Sequence, residues 1–93
     1  MLYILNKPSS ESVRQFAMLS ADDDEKVVLF VTDGVFFSSE AGLQRFADMD
    51  VDSFYAAKDA VEARQLDPGD DVEVVDYDEM AGLLEDFETV IML

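Results

Sequence analysis

Residues 27 to 37 read VVLFVTDGVFF, Val27 through Phe37. A continuous run of this kind, rich in β-branched residues over Val27–Thr32, suits a strand covered on both faces, as in a parallel sheet. Asp33-Gly34 reads as the turn that follows it. Three large apolar side chains come next, where a strand end normally meets water. At helical spacing Val35, Phe36 and Phe37 cannot all point inward, so at least one aromatic should lie near the surface unless a partner covers it. Two readings stay open: the segment folds over the core, or it forms half of a protein interface.

Outward from this stretch, four further apolar runs can be marked: Leu2–Leu5, Val51–Ala57, Val72–Val75 and Val90–Leu93. Segments with helical spacing separate them. Ser9 or Ser10 caps a first helix whose inner side carries Val13, Phe16 and Ala17. Ser38-Ser39-Glu40 opens a second, with Leu43, Phe46 and Ala47 as its stripe. Asp59 and Glu62 have the spacing of a capping box for a third, which Pro68-Gly69 ends. Asp76 and Glu79 repeat the device before Met80, Leu83, Leu84 and Phe87. Strand and helix alternate four times before a final strand, which favours an α/β sandwich with a mostly parallel five-stranded sheet. No linker or repeat divides the chain, so residues 1–93 read as one domain.

Charge is the most unusual feature: 22 acidic against 6 basic residues, a net charge of −16. The acids are spread along the chain, and in dilute buffer such like charge weakens the compact state. At molar salt the screening length falls to about 3 Å and the penalty largely disappears. A halophile-like, salt-adapted surface is the expectation. Binding to nucleic acid is not expected, because phosphate contacts draw on Lys and Arg clusters absent here. No signal peptide or membrane-length apolar run is seen, so a cytoplasmic protein is expected.

With no cysteine and no histidine, the chain has no thiol nucleophile, no thiolate metal site and no imidazole base. The four glycines are isolated, so no phosphate-cradling loop is present. No catalytic residue, cofactor or metal is therefore assigned, and the chain is not expected to be an enzyme. In parallel sheets, ligands and partners gather at the carboxyl ends of the strands. Lys7, Asp33, Asp59, Arg64, Asp76 and Tyr77 belong to or near that rim, and Asp33, Asp59 and Asp76 leave a small-ligand or cation site open as an alternative.

Taken in order, MLYILNKP, VVLFVTDGV, SFYAAKDAVEARQL and VEVVDYDEMAGLL resemble the TusB/DsrH family over nearly the whole chain. Asp33-Gly34-Val35 matches the family's turn, Asp59 with Ala63-Arg64 its Asp and Ala-Arg element, and Asp76-Tyr77 its Asp-Tyr pair. Gln65, Met80 and Ala81 depart from the pattern. The resemblance implies a DsrE-like three-layer α/β/α sandwich and a non-catalytic role in a sulfurtransferase complex with DsrE/TusD-like and DsrF/TusC-like subunits. The sulfur then serves 2-thiolation of the transfer RNA wobble uridine, or sulfur oxidation in the DsrH branch. Some DsrH members carry a cysteine in or after the first helix; Met18–Ser20 offer none, which leaves a scaffolding role. The partner interface expected from these readings is Asp33, Gly34, Val35, Phe36 and Phe37, with Leu43 and Phe46 of the second helix. A homo-oligomer of the same fold, outside any relay, is the remaining alternative.

Overall fold

A computed structural model describes residues 1–93. The chain runs β1 (Leu2–Leu5), α1 (Ser10–Leu19), β2 (Val27–Phe30), a 3-10 segment (Thr32–Ser38), α2 (Glu40–Leu43), a second 3-10 turn (Gln44–Phe46), β3 (Ser53–Ala57), α3 (Lys58–Ala63), β4 (Val72–Val75), α4 (Tyr77–Asp86) and β5 (Val90–Met92). The strands form one sheet in the order β4-β3-β2-β1-β5, and every neighbouring pair is parallel. The expected α/β sandwich is present, with its sheet parallel throughout.

Topology explains which runs had to be continuous. β1 and β2 lie inside the sheet and every residue of both is buried, so both faces favour apolar side chains, and the one hydroxyl among them, on Tyr3, is bonded to Asp23. The step from β1 to β2 to β3 to β4 always moves the same way. Right-handed crossovers therefore place α1, α2 and α3 on one face. There Phe16, Phe46, Ala60 and Val61 pack on Tyr3, Leu5, Val28 and Phe30. α4 carries the chain back across the sheet to β5, so it covers the opposite face, where Met80, Leu83 and Phe87 pack on Leu2, Ile4, Val27 and Leu29. A single helix cannot span five strands: Val90 and Met92 of edge strand β5 stay 39% and 61% exposed.

Local signals held at two helix starts and failed at a third. The Ser9 hydroxyl accepts the Ser12 amide at 3.1 Å to cap α1. Asp76 and Glu79 form the reciprocal capping box of α4 at 2.9 and 3.1 Å. The expected box at Asp59 and Glu62 is absent. α3 begins directly at the end of β3, so Asp59 is already in its first turn, and no side chain caps it. The helix also stops early, at Arg64, with Gln65 at φ 52°, ahead of Pro68-Gly69. Gly69 is instead buried against α2, where its amide donates to the Ser38 carbonyl at 2.7 Å.

The second expected helix, opening at Ser38-Ser39-Glu40, is split into α2 and a 3-10 turn, and its glycine packs against the segment before it. A Cβ on Gly42 would stand 2.6 Å from the Phe37 carbonyl oxygen, so the 3-10 segment and α2 press backbone to backbone. Gly34 is tighter still, since a Cβ there would overlap the Leu5 carbonyl. These contacts fold Thr32–Ser38 back over the end of the sheet.

Candidate functional site

Folding back in this way sorts the residues of the opening stretch. Val35 and Phe37 turn inward, at 0% and 4% exposure, while Phe36 points out at 47%. Phe37 meets Phe30 at 6.1 Å and Phe46 edge-on at 5.6 Å. Of the residues expected at a partner interface, Gly34, Val35, Phe37 and Phe46 are thus buried in the single chain, and Leu43 is half-buried against the core. The 3-10 winding and the aromatic cluster cover their surfaces in the single chain. Asp33 and Phe36 alone remain well exposed.

Both belong to a connected group at the carboxyl ends of the strands. Arg64 ends α3 and its side chain donates to the Ala60 carbonyl at 3.2 Å, which also accepts the Arg64 amide at 3.3 Å. The same guanidinium donates to Asp33 Oδ1 from Nη2 at 2.7 Å and from Nε at 3.1 Å. It also lies 6.0 Å from the Phe36 ring centre, within range of a cation–π contact. The Asp33 side chain is 62% exposed, so the pair contributes at most about 1 kcal/mol. Its value is positional: it ties the 3-10 segment to α3 beneath the exposed aromatic.

A second tie lies across from it. The Tyr77 hydroxyl donates to Asp59 Oδ2 at 2.7 Å. That hydrogen bond, and then the carboxylate's charge, hold the phenol above its ordinary pKa. Between the two ties opens a cleft of about 300 Å³, floored by Val31, Ala57, Ala60 and Met80 and edged by Ala63 and Thr32. Thr32 sits at φ 48°, an unusual conformation for a β-branched residue. It turns the chain off the line of β2, and its hydroxyl donates to the Asn6 carbonyl at 3.0 Å.

The rim expected from sequence is therefore only partly assembled. Asp33 with Arg64, and Asp59 with Tyr77, come together as pairs. Asp76 is spent as the cap of α4, and Lys7 stands exposed after β1 without joining these bonds. The three strand-end aspartates do not converge, and no set of three acidic side chains has metal-holding geometry. Sequence reasoning missed the cleft. Its one trace was the small-residue spacing of Ala57, Ala60 and Ala63, which reads equally well as ordinary helix packing.

The chain resembles known proteins in family and in fold. The family model described as DsrH like protein matches residues 8–90. The crystal structure of the ychN protein from E. coli superposes with a TM-score of 0.74 at 16% identity, covering 99% of this chain and 97% of that one; at that identity the likeness concerns the fold. A search of curated proteins found no match. No helix is long and apolar enough to cross a membrane.

Proposed function

The chain belongs to the DsrH-like family, and on that premise we propose that it is the accessory, non-catalytic subunit of a cytoplasmic sulfurtransferase complex. Members of this family work beside other subunits of sulfur relays. The observation that carries the proposal is a family match over residues 8–90 on a chain without one cysteine. A persulfide needs a thiol sulfur, and the five methionine thioethers cannot form one. The transferred sulfur must then ride on companion chains of the DsrE/TusD and DsrF/TusC kinds, and this subunit holds or orients them. Phe36, with Arg64 and Asp33 behind it, offers the aromatic and arginine pair that protein interfaces favour at their centres. The end use we assign to the sulfur is 2-thiolation of the transfer RNA wobble uridine, with sulfur oxidation as the other branch of the family.

Affinity purification from the native cell at its own salt concentration tests the complex. Companion chains should co-elute in fixed ratio, at least one bearing a reactive cysteine. Recovery as a lone monomer refutes the proposal. Deleting the subunit should deplete 2-thiouridine, read as lost retardation of the target transfer RNAs in mercury-containing gels. Unchanged retardation removes the assigned end use.

A further inference from the structure

We infer that the cleft between α3 and the start of α4 is a socket for one aliphatic side chain of a partner subunit, presented between basic residues. The inference rests on the relay reading for the existence of a partner and deepens it by stating what that partner brings.

Three observations converge. The floor is apolar: Val31, Ala57, Ala60 and Met80 lie along an open cleft of about 300 Å³, room for a leucine-sized group. The hydroxyls at the mouth are already committed, Tyr77 to Asp59 and Thr32 to the Asn6 carbonyl, and Arg64 directs Nε, Nη1 and Nη2 to Asp33 and the Ala60 carbonyl. A hydrocarbon group needs no donor in order to be held there. Finally, the surroundings of the mouth are anionic. Asp59 and Arg64 line it, Asp33 is bonded to Arg64, and Glu62 and Asp76 with Lys58 line the adjoining pocket that shares Asp59 and Tyr77, on a chain of net charge −16. Such a rim repels a second copy and attracts Lys or Arg flanking the inserted group, which speeds encounter and sets register.

Amide shifts of the 15N-labelled full chain, titrated with capped peptides, test this. Lys-Lys-Leu-Lys-Lys should produce saturable shifts at Ala57, Ala60, Ala63 and Met80. Lys-Lys-Ser-Lys-Lys should bind at least about tenfold more weakly, and Glu-Glu-Leu-Glu-Glu should not shift these amides. Ala63→Trp, which fills the mouth from an exposed position, should abolish binding at an unchanged melting temperature. Ala81→Trp, on the exposed side of α4, should bind as the parent does. Equal binding of the serine peptide, absence of localised shifts, or undiminished binding by Ala63→Trp overturns the inference. In the assembled complex, Ala63→Trp should lower partner recovery. Full recovery overturns the socket and leaves the relay reading standing, whereas failure of the parent chain to recover any partner counts against the relay reading itself.

Discussion

Phe36 and Phe37 are adjacent in sequence and opposite in environment, so truncating each in turn separates what the core needs from what a partner needs. Phe37 is 4% exposed and wedged between Phe30 and Phe46. Phe37→Ala removes a ring from a packed aromatic cluster and should cost about 3–5 kcal/mol. A domain of this length is stable by roughly 5–14 kcal/mol, and each kcal/mol is worth about 4–8 °C. The melting temperature should fall by about 15–30 °C. Phe36 is half exposed, with the Arg64 guanidinium 6.0 Å from its ring centre, so Phe36→Ala should cost about 0.5–1 kcal/mol. Its effect belongs in assembly, where loss of a central aromatic weakens binding by about tenfold or more. Urea unfolding at fixed molar salt, followed by far-ultraviolet circular dichroism, measures the first quantity; partner recovery measures the second. Equal stability losses for the two variants, or full partner recovery by Phe36→Ala, would refute the reasoning.

The two glycines at opposite extremes of crowding should respond in opposite directions. Gly34→Ala drives a methyl into the Leu5 carbonyl and should leave little folded protein, whereas Gly82→Ala, with nothing within 4 Å of the new atom, should stabilise α4 by about 0.5–1 kcal/mol in thermal melts. Burial, helped by its 3.0 Å hydrogen bond to Asp23, pushes the Tyr3 hydroxyl up to about 12. Its contribution is complete below the unfolded value near 10 and is lost as pH rises from about 10 to 12, because the unfolded chain releases its proton first. Since Asp23 keeps some solvent access, the loss should be about 1–2 kcal/mol, and Tyr3→Phe should flatten this arm of the stability profile. The melting temperature should climb with KCl into the molar range as the net charge of −16 is screened; a flat curve contradicts the salt-adapted surface.

Sequence alone determined the fold class, the strands β1 and β4 to the residue and the cap of α4, and narrowed the cap of α1 to Ser9 or Ser10. These features depend on interactions between near neighbours: buried runs such as Val27–Phe30 and boxes such as Asp76 with Glu79 carry their own periodicity and hydrogen bonds. The absence of a thiol was equally plain, since it is a matter of composition. Tertiary structure decided what sits at the strand ends. Whether Phe36 or Phe37 faces out depends on Gly34 and Gly42 letting one backbone segment lie on another. Whether Asp33 meets Arg64, and Asp59 meets Tyr77, depends on parallel strands delivering distant segments to one edge. Contacts between residues tens of positions apart leave no local imprint, so the cleft they enclose could be seen only once the chain was folded.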